Sequence, residues 1–167
     1  MTMIWVLALF CFARAQTPQQ AAFLELVRSE NGSIVFADES LAQKFSERHA
    51  DLIHRRSPDF DVYWSEKSPF FVEADLDSDG KPELLAFFEV KAGRALCKAV
   101  AAFRGDENRW VVRDVLIHPS VAYEFVSSDE KGVVCRESSL GGGPEVETVE
   151  RLRRLRMNDD YLIVGAP

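Results

Sequence analysis

The apolar positions in the first third of the chain recur at helical spacing. Ala21, Leu24 and Val27 fall on one face of a helix, three residues apart. This helix would begin at Thr17, the N-cap of a Thr-Pro-Gln-Gln start, because threonine as cap and proline at the first helical position favour initiation. Asn31-Gly32 is typical of a helix end. The pattern therefore predicts a first helix between these two signals.

A second helix is predicted after the short apolar run 34–36. Asp38 would cap it, and Ser57-Pro58 would end it, since the residue before a proline is disfavoured in helical conformation. Its apolar positions are Leu41, Phe45, Leu52 and Ile53.

The remaining two thirds consist of short apolar runs separated by turn residues, the pattern of β-strands. Residues 149–156 fit either a helix or a strand, and we assign them to a strand followed by a turn at Asn158-Asp159. Gly105–Asn108 reads as a hairpin loop and Gly141–Gly143 as a flexible turn. We expect an α+β fold with two N-terminal helices followed by a mostly antiparallel β-sheet. The predicted strands are 60–64, 69–74, 83–90, 95–103, 109–117, 121–127, 131–137, 145–156 and 160–165.

The segment 75–83, with the sequence Asp-Leu-Asp-Ser-Asp-Gly-Lys-Pro-Glu, carries the main chemical signal. Its carboxylates stand at positions 1, 3, 5 and 9, and Gly80 at position 6 can adopt the positive φ of a sharp turn. Closely spaced carboxylates repel one another, and a hard cation with oxygen ligands removes that repulsion. We therefore predict a Ca²⁺ site in which the carbonyl of Lys81 adds an oxygen. The predicted side-chain ligands are Asp75, Asp77, Asp79 and Glu83.

The segments that flank this loop distinguish between types of calcium site. An EF-hand requires glutamate at position 12 of the loop, where this chain has Ala86. The flanking runs 69–74 and 84–90 are rich in Phe and Val and read as strands, so we expect a β-hairpin rather than helix–loop–helix. Two alternatives remain open from the residues alone: a plain polar turn, because Asp, Ser and Gly dominate turns, and a site for another metal.

Residues 75–85 resemble the calcium loop of FG-GAP, or integrin-type, repeats, which are VCBS-like hairpins. In those repeats a β-hairpin carries Asp-x-Asp-x-Asp-Gly-x-x-Asp followed by an apolar strand, and here Glu83 replaces the last aspartate. The resemblance implies calcium ligation by Asp75, Asp77, Asp79 and Glu83. It covers a single copy, and no repeat period recurs along the chain, so a propeller is not implied.

The N-terminal segment 1–15 reads as a secretory signal peptide. Residues 4–12 form an apolar stretch, and Ala13-Arg14-Ala15 matches a small-residue cleavage site, which would leave Gln16 as the new N-terminus. The stretch is too short to span a bilayer, although a buried N-terminal strand or helix is the alternative. We expect one α+β domain over residues 16–167, located in the periplasm or secreted.

Export bears on the cysteines, because disulfides persist in oxidising compartments. Removal of residues 1–15 would leave two cysteines, Cys97 and Cys135, so the sequence predicts a bridge between them. Two buried thiols are the alternative, since cysteine is also a common small apolar core residue.

No residue qualifies as catalytic on sequence grounds. His49 and His54 are five positions apart, not the four that place two imidazoles on one helix face, so we expect both on a solvated helix surface. His118, just before a proline, reads as a strand end. The Ser138–Gly143 run lacks the context of an activated serine. The arginines of segment 151–156 suggest a charged sheet edge or an anionic partner, but the net charge of −7 argues against nucleic acid.

Three functions remain open. The favoured hypothesis is an exported, calcium-stabilised binding domain whose protein partner is unknown. The alternatives are an exported hydrolase with a structural calcium site, and a periplasmic inhibitor or accessory factor for another exported enzyme. No membrane span is expected beyond the signal segment.

Overall fold

The β-strand is the dominant element of this chain. A computed structural model describes residues 17–31, 33–49, 69–93, 95–139 and 149–167. Within these ranges the chain forms two short helices and ten strands, which in chain order are α1 (Pro18–Leu26), β1 (Val27–Glu30), β2 (Ser33–Phe36), α2 (Glu39–Arg48), β3 (Phe70–Ala74), β4 (Glu83–Ala92), β5 (Ala95–Asp106), β6 (Arg109–Leu116), β7 (Val121–Asp129), β8 (Gly132–Ser139), β9 (Val149–Asn158) and β10 (Tyr161–Gly165).

The strands form two sheets. Sheet A has the order β1-β2-β4-β5-β6, and β3 pairs with β4. Its pairs are antiparallel apart from β2 and β4, which meet in parallel at Val35 and Lys91. Sheet B is an antiparallel meander in the order β10-β9-β8-β7.

The expected α+β fold with two N-terminal helices before the sheet is wrong, because the structure is mostly β. The chain leaves the first helix at Leu26, and Val27 already pairs with Phe36 in an antiparallel ladder. Asn31, with φ of 49°, lies in the turn between β1 and β2. Asn-Gly serves helix ends and hairpin turns equally well, since both need a left-handed residue, and here the ladder decides the outcome.

Both helix starts are confirmed. Thr17 accepts a hydrogen bond from the N–H of Gln20, whose side chain bonds back to the N–H of Thr17, which makes a complete capping box. Asp38 caps α2 by accepting from the N–H of Ser40. α2 ends at Arg48 with His49 as its C-cap, so the helix is shorter than the predicted one, and residues 50–57 lie outside the described residues.

Sheet A is buried on both faces, because the helices contribute to the core on one side and sheet B to the core on the other. Along β4, alternate residues enter different cores: Leu84 and Phe88 belong to the first, and Leu85 and Phe87 to the second. Phe23 of α1 packs edge-on against Phe88, with ring centroids 5.0 Å apart. This double burial explains why β4 reads as a nearly continuous apolar run rather than as an alternating one.

The two cysteines lie in different cores. Cys97 belongs to the core that the helices share with sheet A, and Cys135 to the core between the two sheets. Within the described ranges both are free and buried thiols. The predicted bridge is not formed in this structure, since a disulfide brings the two Cβ atoms to about 4 Å and here sheet A separates the two cores.

The strand assignments from residue 69 onward agree closely with the structure. The ambiguous segment 149–156 is strand β9, and the expected turn follows it, with Asp159 at φ of 53°. The arginine run does not lie on a sheet edge, however, because β9 pairs with β8 and β10. Arg154 is only 9% exposed and bonds to Asp129, while Arg153 bonds to Glu137.

Several predictions concern segments that the structure does not describe. The signal peptide over residues 1–15, the strand 60–64 and the glycine turn at 141–143 all lie outside the described residues. No helix in the described ranges is long and apolar enough to cross a membrane.

Candidate functional site

The segment 75–82 connects two strands of one hairpin, as predicted. β3 and β4 pair in antiparallel register, with Ala74 opposite Glu83 at the mouth of the loop. Gly80 has φ of 84° and Ser78 has φ of 65°, so the chain turns twice through the left-handed region. The structure thus confirms a hairpin with a sharp turn at Gly80.

The loop is held together by its own carboxylates. Asp75 Oδ2 accepts a hydrogen bond from the N–H of Gly80 at 3.0 Å, and Asp77 Oδ1 accepts from the N–H of Asp79 at 3.0 Å. Asp79 Oδ1 accepts from the N–H of Lys81 at 2.8 Å. These short-range bonds explain why aspartates recur at alternate positions, because each one closes a turn of the backbone two to five residues onward.

Leu76 anchors the loop to the rest of the protein. Its side chain is 3% exposed and belongs to the core between the sheets. Its carbonyl accepts a hydrogen bond from the N–H of Met157 in sheet B at 2.9 Å, and its own N–H donates to Glu83 Oε2 at 2.8 Å. The loop is therefore bonded to both sheets, so a change in its stability should affect the stability of both.

Three of the predicted ligands converge on one point. Asp75, Asp77 and Glu83 each place one carboxylate oxygen within 4.8 Å of the others. Asp79 is not part of this group and is exposed, with one oxygen on the N–H of Lys81. Metal ligation by these three residues, by Asp79 and by the carbonyl of Lys81 stays a prediction.

The three carboxylates are met by one cation from the neighbouring strand. Arg104 of β5 donates from Nη2 to Asp77 Oδ2 at 2.5 Å, and its Nε lies 3.3 Å from Glu83 Oε1. Three acidic groups and one guanidinium leave a net charge of −2 at the cluster when all are ionised. A divalent cation would neutralise this excess.

Two of the carboxylate oxygens lack a hydrogen-bond donor. Asp75 Oδ1 and Glu83 Oε1 are buried and accept no hydrogen bond, although Glu83 Oε1 has the ion-pair contact with Arg104. Glu83 is only 1% exposed. Burial raises the pKa of its carboxyl, and the charge of Asp77 adds to that rise. The hydrogen bond from the N–H of Leu76 and the charge of Arg104 act in the opposite direction and lower the pKa. Its ionised form is thus less well stabilised than in water, and buried carboxylate oxygens without donors are unusual in native proteins.

Sequence reasoning missed Arg104, although a signal for it exists. Leu84 pairs with Phe103 across β4 and β5, so the next position of the register places Arg104 opposite Glu83. A basic residue after the last apolar position of a strand that pairs with an acidic loop would therefore identify the counter-ion, once the register of the two strands is fixed.

A second polar cluster, centred on Asp114, was also missed. Asp114 is fully buried and accepts hydrogen bonds from Arg48 Nη1 at 2.8 Å, His49 Nε2 at 3.0 Å and the N–H groups of Val115 and Leu162 at 2.9 Å each. Burial alone would raise its pKa, but the bond and charge of His49 and the other donors outweigh burial and hold that pKa below its ordinary value.

The expected solvated position of His49 is therefore wrong: this residue at the end of α2 is 6% exposed, and its ring bonds to the buried Asp114. The cluster joins the end of α2 to β6 of sheet A and β10 of sheet B by hydrogen bonds. His54 lies outside the described residues. His118 forms an isolated bridge with Val121, as a strand end does, and its Nδ1 accepts from the N–H of Ser120.

An open cleft lies between the edge strands β3 and β7. It has a volume of about 390 Å³ and aromatic walls formed by Phe70, Phe87 and Phe125. The ring centroid of Phe125 lies 5.1 Å from that of Phe70 and 5.9 Å from that of Phe87. Lys98 lies at its rim and contacts Glu124 at 2.6 Å and Glu89 at 4.0 Å. Phe70 is 50% exposed at the mouth of the cleft.

No family model matches this chain, and no curated protein or solved structure matches it either. The resemblance of residues 75–85 to FG-GAP-type loops therefore stays a prediction from the residues. A function for this chain has to be argued from the chemistry of its own sites.

Proposed function

We propose that this chain is an exported, calcium-stabilised binding domain. The observation that carries the calcium site is the convergence of Asp75, Asp77 and Glu83 with two buried oxygens that no hydrogen bond satisfies. A cation satisfies such oxygens directly, whereas a plain polar turn has no need to bury them. Export is proposed from the signal-peptide pattern of residues 1–15.

Calcium is the cation that this ligand chemistry favours. All the candidate donors are carboxylate oxygens, with the carbonyl of Lys81 as a further oxygen, and hard cations bind such sets. Calcium accepts irregular sets of six to eight oxygens, with water completing the shell, whereas magnesium demands a nearly ideal octahedron. A loop tied to two sheets through Leu76 has little freedom to reach that ideal geometry.

The binding surface of the domain is, in this proposal, the aromatic cleft between β3 and β7. Its volume falls within the range common for ligand sites, and its walls combine aromatic rings, of which Phe70 is exposed, with a few charged groups. β3 forms one wall of the cleft through Phe70 and also leads into the calcium loop at Asp75. Calcium would thus fix the strand that carries the mouth of the binding surface.

The calcium site is tested by thermal unfolding. Weak extracellular-type sites have dissociation constants of about 10⁻⁴–10⁻³ M, so about 10 mM calcium should stabilise the fold by about 1.4–2.7 kcal/mol through mass action. For a domain of this size that corresponds to a rise of about 3–10 °C in Tm. Magnesium at the same concentration should give a smaller rise, and a chelator should abolish the effect of calcium.

Two variants make this test specific. Asp77→Asn removes one converging carboxylate charge at nearly constant shape, so calcium should no longer raise its Tm. Glu107→Gln makes the matching change at an exposed position of the β5–β6 turn and should keep the full response. An equal calcium response in the two variants, or none in the wild type, would refute the proposed site.

The cleft is tested separately by comparing partner capture from an exported-protein fraction in calcium. Phe70→Ser changes the 50% exposed ring at the mouth of the cleft and should lose the captured species. Leu152→Ser, a change at an equally exposed apolar residue of β9, should retain it. Equal capture by both variants would assign binding to another surface.

A further inference from the structure

Arg104 is the resident cation of the acidic cluster. In Asp77 and Glu83, one carboxylate oxygen is taken by the loop backbone: Asp77 Oδ1 accepts from the N–H of Asp79, and Glu83 Oε2 accepts from the N–H of Leu76. The other oxygens, Asp77 Oδ2 and Glu83 Oε1, both face the guanidinium of Arg104. In these two residues, the oxygen that the backbone leaves available to a metal ion is thus the one that Arg104 contacts.

The two contacts with Arg104 are unequal. Nη2 donates a hydrogen bond to Asp77 Oδ2, whereas Nε and Glu83 Oε1 are 3.3 Å apart and form no hydrogen bond, so these two atoms are buried without one. A guanidinium is planar and rigid, and the best carboxylate pairs use two parallel N–H donors. Arg104 therefore supplies a positive charge beside Glu83 but donates no hydrogen bond to Glu83 Oε1.

We infer that calcium binding is an exchange reaction, in which the ion displaces the Arg104 guanidinium from Asp77 and Glu83, so that Arg104 sets the calcium affinity of the loop. This inference rests on the proposed calcium site and concerns its regulation. With calcium absent, Arg104 provides the counter-charge that the 1% exposed Glu83 needs. With calcium present, the 29% exposed arginine side chain turns outward to solvent, because the ion and the guanidinium repel each other at contact range.

Exchange predicts opposite effects of one substitution on two quantities. In Arg104→Gln the metal-free protein should melt at a lower temperature than the wild type, because Glu83 loses its counter-ion. The same variant should bind calcium at least about tenfold more tightly, because no guanidinium then competes with the ion for Asp77 and Glu83. An arginine with a purely structural role would lower the Tm without tightening calcium binding.

Two further variants serve as controls. Arg104→Lys keeps the positive charge, so its calcium affinity should stay close to that of the wild type. Arg109→Gln makes the same chemical change at an exposed position of β6 and should alter neither quantity.

The experiment is calorimetric titration of calcium chloride into the full exported chain, with metal-free melting curves of the same four proteins. Tighter binding by Arg104→Gln, with a lower metal-free Tm, is the expected result. If the wild type binds calcium and Arg104→Gln binds it equally or more weakly, the exchange is refuted while the calcium site stands. If none of the proteins binds calcium at millimolar concentration, both the exchange and the proposed function are refuted.

Discussion

Replacement of Asp114 by asparagine tests whether the buried cluster fastens the layers of the fold together. Asp114 is fully buried and accepts from Arg48, His49 and the N–H groups of Val115 and Leu162. Asparagine has nearly the same shape but no charge, and its amide nitrogen must face at least one donor that the carboxylate accepted. The substitution therefore leaves buried groups without partners at constant volume.

The magnitude follows from these contacts. Breaking a buried charged network by removing one partner costs about 3–5 kcal/mol, and each buried donor left unsatisfied costs about 1–3 kcal/mol. Asparagine keeps one oxygen, so we expect a loss of about 3 kcal/mol. For a domain of this size that lowers the Tm by about 6–12 °C.

Urea unfolding measures this loss directly, since the midpoint falls while the slope stays constant if only stability changes. The control is Asp160→Asn, which makes the same chemical change at a carboxylate that is 56% exposed and whose Oδ1 lies 3.6 Å from Arg113 Nε. Exposed pairs contribute about 0–1 kcal/mol. Equal losses in the two variants would refute the view that Asp114 connects the layers.

The remaining predictions concern acid stability, the thiols and a close backbone approach. Because the folded state lowers the pKa of Asp114, the contribution of this carboxylate to stability is present above the ordinary value of 3.8 and is lost as the pH falls below it. The free energy of unfolding should therefore fall more steeply below about pH 4 in the wild type than in Asp114→Asn. Parallel pH curves for the two proteins would contradict this. Burial raises the pKa of both Cys97 and Cys135 to about 12, so a thiol reagent should label neither cysteine in the folded protein. After unfolding without reductant it should label both, and a failure to label them then would reveal a disulfide bridge. Gly132→Ala should destabilise the protein strongly, because the new Cβ would lie 2.6 Å from a backbone oxygen of β9. Gly80→Ala has open space around its Cβ and should cost only about 1 kcal/mol for its positive φ. Urea unfolding should give a larger loss of stability for the first variant, and equal losses would contradict the close approach.

The sequence predicted those elements whose local pattern and tertiary environment agree. Strands β4 and β5 have long apolar runs, and the calcium-type loop between β3 and β4 has turn residues at fixed positions, so both were placed correctly. β1 was not predicted, because the helical spacing of α1 continues into Val27–Glu30. Only the pairing of this segment with β2 makes it a strand. A local spacing rule has no access to that partner.

The two polar clusters differ in the same way. Three members of the acidic cluster lie within one loop, and its fourth, Arg104, lies opposite Glu83 once the strand register is known. Asp114 and His49 are separated by 65 positions in the chain, and the donor from Leu162 is separated from Asp114 by 48. No local motif encodes such a contact, so a buried histidine was mistaken for a solvated one.

A crystal structure of the protein grown with about 10 mM calcium chloride tests the calcium site most directly. We expect an ion about 2.3–2.6 Å from carboxylate oxygens of Asp75, Asp77 and Glu83, with the Arg104 side chain turned away from them. A loop that keeps Arg104 on Asp77 and Glu83 in that calcium concentration, with no ion among the three carboxylates, would contradict the proposal.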